Sequence, residues 1–228
     1  MNLQELSQTV LFRGSTPEEV GTMLQCLQAE TRRYARGSMI HHAGDTVETM
    51  GVVLSGSVSV EINDVWGNKS ILDHLKAGQV FAEAYACVPG EPLMTDVVAS
   101  ESTEVLHLNM ARVLHICGNA CGFHNKLIRN LLMIASQKNL SLSRRSVHTN
   151  AKSIRGRLLS YLSDQALAQG SRSFSVPFNR QQLADYLNVD RSAMSNELSK
   201  MQKDGLLQAD RNQFTLISMD PQQPYGSV

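Results

Sequence analysis

Apolar residues near the start of the chain recur at the spacing of a helix. One face of that helix holds Val20, Met23, Leu24 and Leu27. Before this face, Thr16 suits the N-cap, Pro17 the first helical position and Glu19 the reciprocal contact of a capping box. The pattern therefore predicts a helix that begins at Pro17. It also places Cys26 on the buried side, because Cys26 lies three residues after Met23.

From about Arg33 onward the apolar residues alternate instead. Short β-branched runs are separated by glycine-containing turns, and the alternating positions are Val52, Leu54, Val58, Val60 and Ile62. The stretch TDVVASESTEVLHL adds at least two further runs. About six to eight short strands of this kind predict a sandwich or a rolled barrel.

The longest helical pattern extends from about Asn119 to His148. Its apolar stripe is wider than one packing surface requires: Leu127, Ile128, Leu131, Leu132, Ile134 and Ala135. A helix that is apolar on two sides packs on its own domain with one side and on a partner helix with the other, so the stripe predicts a homodimer. The small polar residues from Ser146 to Ser153 predict a hinge before a second domain.

The second domain contains two short helical patterns separated by a turn. Asn179 and Gln182 form a capping box, and Asn188 lies where the chain must turn, because asparagine tolerates a left-handed backbone. Asp190 can cap the following helix, whose inward face is Met194, Leu198 and Met201. A loop is expected from Gly170 to Ser173.

The outward residues at the start of that following helix are polar. They are Arg191, Ser192, Ser195 and Asn196. In a helix-turn-helix this end enters the major groove, where arginine can pair with guanine and asparagine with adenine. Two strand-like runs, 206–208 and 214–217, then flank a turn, as in the wing of a winged helix. The combination predicts sequence-specific DNA binding.

The overall charge is balanced, with 21 basic and 21 acidic residues. The stretch from Lys126 to Arg157 nevertheless contains no acidic residue, which favours either a polyanionic partner or a solvated helix face. Within it, Lys152, Arg155 and Arg157 lie nearest the second domain and are expected to contact phosphates.

Several classes of protein are not favoured. No apolar run approaches the ~18 residues of a membrane span, and the first residues lack a signal-peptide pattern, so a cytoplasmic chain with reduced cysteines is expected. No glycine-rich phosphate loop, metal-ligand spacing or nucleophile elbow is present, so no enzyme is predicted and no metal ligands are assigned.

Four parts of the chain together resemble the Crp/Fnr family of bacterial transcription regulators. They are GDTVETMGVVLSGSVSVEI, LKAGQVFAEAYAC, the basic and apolar long helix, and FNRQQLADYLNVDRSAMSNELSKMQKDGLL. The resemblance implies an α+β chain with a cyclic-nucleotide-binding-type β-roll (a double-stranded jelly roll), a long dimerisation helix and a winged helix-turn-helix. The corresponding residues are 1–118, 119–149 and 150–228.

The resemblance also implies partners. A homodimer reads a two-fold-symmetric operator in double-stranded DNA, with half-sites about 34 Å apart. A small-molecule effector controls the dimer allosterically, and RNA polymerase is a further partner to expect. The set of DNA-binding residues then comprises Arg180, Gln181, Arg191, Ser192, Ser195, Asn196 and Lys200.

Individual positions refine that implication. Arg191 matches a base-contacting arginine of the family, and Arg180 with Gln181 matches phosphate-contacting positions. Ser192 stands where the best-known members have a glutamate, and Asn196 where they have an arginine. A different half-site sequence is therefore expected.

The effector segment departs from the family as well. Cyclic-AMP-binding members hold the cyclic phosphate with an adjacent Arg-Ser pair that follows a Gly-Glu pair. Here Glu83 is present, but Ala82 replaces the glycine and Leu93-Met94 stand in place of Arg-Ser. A buried phosphate without its arginine is strongly unfavourable, so cyclic AMP is not the expected effector. The residues predicted to line the effector site are Ala82, Glu83, Ala84, Tyr85, Leu93, Met94, Thr95, Leu131 and Ile134.

Three alternatives remain open at this level. A haem-based gas sensor would take an axial ligand from His41, His42, His74, His107, His115 or His124. A redox or metal sensor would use Cys87, Cys117 and Cys121, although small buried cysteines are the simpler interpretation. A regulatory module that acts on a protein partner would need no helix-turn-helix.

Overall fold

The computed structural model describes residues 2–63, 69–114 and 122–217. Within it the chain divides into two compact units, Met1–Gln137 and Lys138–Val228. The boundary falls inside the long helix, so this helix contributes to both units. His115, Cys117 and Cys121 lie outside the described residues.

The first unit contains short helices and eight described strands. In chain order they are α1 (Leu3–Ser7), α2 (Pro17–Cys26), β1 (Glu30–Tyr34), β2 (Met39–His41), β3 (Thr49–Ser55), β4 (Ser57–Asn63), β5 (Lys69–Lys76), β6 (Val80–Phe81), α3 (Glu83–Cys87), β7 (Asp96–Ala99), β8 (Thr103–Asn109) and α4 (Met110–Leu114). The helix α5 (Gly122–Thr149) follows. The predicted α2 start is confirmed, because Thr16 and Glu19 form the capping box.

The strands form two antiparallel four-stranded sheets, in the orders β1-β8-β3-β6 and β2-β7-β4-β5. One apolar cluster joins the sheets, with members from each: Val53, Val58, Leu75, Phe81, Val97 and Val105. The prediction of a rolled, two-layered β structure with six to eight strands is therefore confirmed.

Strand β8 is buried on both faces. Val105 packs between the sheets, whereas Leu106 and Leu108 belong to a second cluster that contains residues of α2 and α5. That second cluster also contains Leu131 and Ile134. The helices thus cover the outer face of the first sheet, and the two faces of β8 connect the interior of the roll with α5.

The prediction that Cys26 is buried was wrong, because the structure leaves this thiol exposed. Cys26 is the last residue of α2, and the inward positions around it are taken by Met23, Leu24 and Leu27. A spacing of three residues from Met23 does not establish burial at the end of a helix, because here the next residue, Leu27, completes the apolar face.

The second unit continues from the end of α5 with the elements α6 (Ile154–Gln169), β9 (Ser173–Ser175), α7 (Arg180–Leu187), α8 (Arg191–Lys203), β10 (Leu207–Asp210) and β11 (Gln213–Leu216). The sheet order is β10-β11-β9, so the predicted wing hairpin is confirmed and a third strand joins it. Ser173 begins that strand and does not belong to a loop. The predicted hinge is shorter than expected, because α5 continues to Thr149 and Ser153 already caps α6.

Ala82 has a left-handed backbone, with φ of +58°, immediately before α3. We expect Ala82→Gly to raise the free energy of unfolding by about 0.5–1 kcal/mol, since this conformation costs an L-residue energy that glycine does not incur. Chemical denaturation followed by circular dichroism measures the change. Ala84→Gly, at an exposed position inside α3, is the control and should lower the same free energy. Equal changes in the free energy of unfolding for the two variants would contradict the left-handed conformation of Ala82.

Candidate nucleic-acid interface

The first helix of the motif, α7, starts at a reciprocal cap. The Gln182 backbone N–H donates to Asn179 Oδ1 at 2.9 Å, and the Asn179 backbone N–H donates to Gln182 Oε1 at 2.9 Å. Leu183, Ala184 and Leu187 form its buried face. The capping box predicted from the sequence is therefore confirmed, and it fixes where α7 begins.

The turn between α7 and α8 depends on two residues. Asn188 has φ of +53°, and its N–H donates to carbonyl oxygens of the last turn of α7. Two residues later, Asp190 Oδ1 accepts from the Ala193 N–H at 2.8 Å and caps α8. Both roles match the sequence prediction, and together they set the angle at which α8 leaves the turn.

Two arginines bind the carbonyl end of α7. Arg145, from α5, donates from Nε to the Tyr186 carbonyl at 2.9 Å and from Nη2 to the Asp185 carbonyl at 2.8 Å. Arg157, from α6, donates from Nη1 to the carbonyls of Leu187 and Asn188 at 3.1 and 2.8 Å. Carbonyls at a helix C-terminus lack intrahelical donors and carry partial negative charge, which the guanidinium groups satisfy.

Tyr186 adds a second connection between α5 and α7. Its hydroxyl lies 2.9 Å from Nδ1 of the buried His148, and its ring lies under the Arg145 guanidinium at 5.6 Å. Burial lowers the pKa of His148 and raises the pKa of Tyr186, so both groups are neutral near pH 7. The end of α5 is thus joined to α7 by hydrogen bonds on two successive helical turns.

The expected phosphate contacts of Arg155 and Arg157 need correction. Arg155 Nε donates to Glu197 Oε1 at 2.6 Å, and Arg155 Nη2 lies 2.8 Å from Asp204 Oδ2. Arg157 is bound to the α7 carbonyls described above. Both side chains therefore stabilise the domain itself, since Arg155 is paired with two carboxylates and the Arg157 guanidinium is hydrogen-bonded to main-chain carbonyls. Lys152 is exposed.

The outward face of α8 contains the predicted reader residues. Met194, Leu198 and Met201 are buried, and the polar residues between them are exposed: Arg191, Ser192, Ser195, Asn196 and Lys200. The division into inward and outward faces is therefore as the sequence predicted.

The exposed polar groups are not equivalent. Ser192 Oγ donates to Asp190 Oδ1 at 2.5 Å, and Ser195 Oγ donates to the Arg191 carbonyl at 2.9 Å. Both hydroxyl protons are thus used inside the helix, and their oxygens remain as acceptors. Lys200 Nζ lies 4.0 Å from Glu197 Oε2. Within the described part of the chain the Asn196 amide has no hydrogen-bond partner, so it can offer both a donor and an acceptor.

Arg180 is held beneath this surface. Its guanidinium lies 5.0 Å from the centre of the Phe214 ring, and its Nη1 is buried without a hydrogen-bond partner among the described residues. Burial lowers the pKa of Arg180, while nearby Asp210 raises it. Gln181 is exposed and donates to Asp185 Oδ1 at 2.8 Å.

One concave surface brings several of these groups together. It has a volume of about 720 Å³, and its polar lining includes Arg180, Gln181, Arg191, Arg211 and Asn212. Arg211 lies in the turn of the wing with φ of +51° and is exposed. Arg211 is not among the DNA-binding residues predicted from the sequence, because its proximity to α7 and α8 depends on the pairing of β10 with β11. Three arginines on one concave surface form a suitable site for phosphate groups.

The residues predicted to bind an effector differ widely in how far they are buried. Glu83 and Leu93 are buried, and Ala82, Tyr85 and Thr95 are partly buried. Ala84 is exposed, and 74% of the Met94 surface is exposed. Leu93 and Met94 thus differ in burial although they are adjacent, and the chain bends at Met94. Leu131 and Ile134 are core residues of the helical cluster.

The histidines suggested as haem ligands occupy different environments. His42 and His74 are exposed, His41 is partly buried, and His107 and His124 are buried. Cys87 is exposed. No three His, Cys, Asp or Glu side chains among the described residues are arranged to hold a metal ion. Haem ligation stays a prediction.

None of the described helices combines the length and apolar character needed to cross a membrane.

Two protein-family profiles match the chain. The cyclic nucleotide-binding domain matches residues 31–119, and the Crp-like helix-turn-helix domain matches residues 156–222. Together they cover the roll and the second unit from α6 onward.

Relatives and solved structures agree with these profiles. The cyclic AMP receptor protein of Thermus thermophilus is 35% identical over 98 residues, 43% of this chain and 44% of that protein. The CRP-like protein Clp of Xanthomonas euvesicatoria is 24% identical over 218 residues, 88% of this chain and 91% of that protein. The structure of the c-di-GMP-responsive regulator CLP of Xanthomonas campestris is similar with a TM-score of 0.57 at 18% identity, covering 90% of this chain and 100% of that chain. The structure of CprK complexed with OCPA is similar with a TM-score of 0.60 at 15% identity, covering 86% of this chain and 89% of that chain.

The role of Asn188 in the turn between α7 and α8 can be tested by substitution. We expect Asn188→Val to lower the free energy of unfolding by about 1–2 kcal/mol, because a β-branched residue is strained at positive φ. Asn188→Gly should remain within about 0.5 kcal/mol of the wild type, since glycine adopts this conformation freely. Chemical denaturation of both variants measures the difference. Equal stabilities of the two variants would contradict the role of the turn.

Proposed function

Because the chain belongs to the Crp/Fnr family of transcription regulators, we propose that it binds a two-fold-symmetric DNA operator as a homodimer under the control of a small-molecule effector. The observation that supports DNA reading most strongly is the exposed polar face at the start of α8, beside a concave surface with three arginines.

The chemistry of that face fits base edges in the major groove. Arg191 offers the two parallel donors that guanine accepts. The Asn196 amide, which has no hydrogen-bond partner among the residues that the structure describes, offers the donor and acceptor that adenine requires. Ser192 and Ser195 present oxygen acceptors, because their protons are donated within the protein. Acceptors suit the amino groups of cytosine or adenine. These residues supply the sequence discrimination in the proposed complex.

The concave surface fits the DNA backbone. The buried Nη1 of Arg180 has no partner among the described residues, and a phosphate oxygen would satisfy it. Arg211 would approach the same backbone from the wing, and Gln181 would add a neutral donor. Such contacts position the protein on the duplex without reading its sequence.

A homodimer is supported by exposed apolar residues along α5. Large parts of four side chains are exposed on this helix: 66% of Leu132, 58% of Leu140, 67% of Leu142 and 66% of Val147. Isolated exposed leucines are common, but Leu132, Leu140 and Val147 lie within about 80° of one another around the helix axis and form a surface suited to a second helix. Leu142 lies on another side of α5. A two-fold dimer would present two α8 helices to half-sites about 34 Å apart.

Control by an effector would act through α5. A ligand in the roll that alters the packing of β8 would shift α5, and Arg145 with Tyr186 would transmit the shift to α7. Cyclic AMP in the usual mode is not part of this proposal, since Leu93-Met94 offer no cation to its phosphate. Contact of the DNA-bound dimer with RNA polymerase would complete the regulatory role.

The reader residues are tested by two substitutions. Arg191→Ala and Asn196→Ala should each weaken binding about tenfold or more to the sequence that the wild type prefers, and relax discrimination at one base pair of each half-site. Fluorescence anisotropy with labelled duplexes measures both effects. Arg172→Ala, an exposed arginine outside the concave surface, should leave discrimination unchanged. Unaltered discrimination in both reader variants would contradict the assignment.

The dimer surface is tested by charge insertion. Leu140→Glu should convert the dimer to a monomer, because two carboxylates would lie in an apolar helix–helix interface. Sedimentation velocity measures the change. Leu167→Glu on α6, where 52% of the leucine is exposed, is the matched control and should remain dimeric. A dimeric Leu140→Glu variant would show that α5 is not the interface.

A further inference from the structure

A polar cavity in the roll has a lining that includes no residue of the segment between Ala82 and Thr95. Its volume is about 430 Å³, within the range of small-molecule sites. It is lined by residues of β1, β2, β3, β8 and α4, among them Tyr34, His41, Thr49, His107 and Arg112. His41 and His107 are among the histidines considered above as haem ligands, and the cavity plays no part in the proposed DNA binding.

Two imidazoles form the wall of this cavity. The His41 and His107 ring centres are 6.2 Å apart and nearly perpendicular. His107 is 6% exposed, and its Nε2 lies 3.0 Å from the Tyr34 hydroxyl. The Nε2 of His41 is shielded from solvent and has no hydrogen-bond partner among the described residues. An unsatisfied buried imidazole nitrogen is costly, so a polar ligand group that reached it after a small displacement of its neighbours would stabilise it.

Charges of both signs surround these imidazoles: Glu30, Arg32 and Arg112 line the cavity, and the carboxylate of Asp45, outside the lining, acts on His41. Arg32 is paired with Glu30 at 2.7 Å, whereas the exposed Arg112 has no ionic partner in the described part of the chain. Burial lowers the pKa of His107 to about 4 and also lowers the pKa of His41, so both rings are neutral at pH 7. The formal charge of the lining is then +1, from two arginines and one glutamate.

We propose that this cavity binds the oxyanion group, a carboxylate or a phosphate, of a small metabolite. Arg112 supplies the charge that faces the anion, and the imidazoles supply neutral N–H donors. Thr49 and Asn109 add further hydrogen-bonding groups on the lining. The cavity is too small for a macromolecule and too polar for an apolar effector.

A ligand in this cavity would be separated from α5 only by strand β8. His107 lines the cavity, and its neighbours Leu106 and Leu108 on β8 pack in the cluster that contains Leu127 and Leu131 of α5. Movement of β8 on binding would therefore reach α5 directly. This regulatory consequence rests on the proposed function, whereas the binding itself does not.

Nuclear magnetic resonance of the full chain tests the site without DNA. The protein is labelled with ¹⁵N at histidine, and ¹H–¹⁵N correlation spectra based on two-bond couplings follow each imidazole nitrogen. The titrants are inorganic phosphate and, separately, succinate, both at pH 7. His41→Gln assigns one set of signals. We expect saturable shifts of the His41 and His107 signals with at least one of the two probes, and smaller changes at the exposed His42 and His74.

A matched pair of variants distinguishes this site from general attraction of anions. Arg112→Gln should weaken binding about tenfold, equivalent to about 1.4 kcal/mol, since it removes the unpaired charge. Arg36→Gln removes the same charge from the exposed turn between β1 and β2, outside the cavity, and should leave the affinity unchanged. Unshifted His41 and His107 signals at millimolar concentrations of both probes, or equal weakening by the two variants, would overturn the proposal.

The regulatory link has a separate readout. With the probe that binds, the affinity for DNA should change in the wild type and not in Arg112→Gln. An unchanged DNA affinity in the wild type would overturn the link to regulation. A failure of DNA binding itself would leave the imidazole titration unaffected, so the two proposals fail independently.

Discussion

The placement of α8, the helix proposed to enter the major groove, depends on the hydrogen bonds that the carbonyl groups at the end of α7 accept. Arg145 and Arg157, from two different helices, donate four hydrogen bonds to consecutive carbonyls of residues 185–188. The last of these carbonyls belongs to the left-handed Asn188, two residues before Asp190, which caps α8. Because Arg145 and His148 both extend from the C-terminal part of α5, this part of the helix and the motif are held together by the Arg145 hydrogen bonds and by the His148–Tyr186 contact.

A second constraint is the use of both faces of β8. Its inner residues Val105 and His107 border the roll interior, and its outer residues Leu106 and Leu108 contact the helical core. A strand buried on both faces transmits a displacement on one side to the packing on the other, because protein cores are close-packed. The proposed anion cavity and α5 are therefore separated by only one layer of backbone.

Local signals in the sequence predicted much of this arrangement, and long-range contacts account for what was missed. The Asn179 cap and the Asn188 turn were predictable because each depends on residues only a few positions away. The roles of Arg145 and Arg157 were not, since their partners are main-chain carbonyls about 30–40 residues distant with no side-chain signature. The exposure of Met94 beside the buried Leu93 was not predictable, because composition alone does not decide which of two adjacent residues is buried.

The proposal that this regulator reads a two-fold-symmetric operator is tested most directly by selecting bound sequences from randomised double-stranded DNA with the full-length protein. The account predicts enrichment of an inverted repeat with half-sites about one helical turn apart, roughly 10–10.5 base pairs between centres. It further predicts a half-site that differs from that of the cyclic-AMP receptor protein, because Ser192 and Asn196 replace its readers. Absence of any enriched motif, or enrichment of a single asymmetric half-site, would contradict the account.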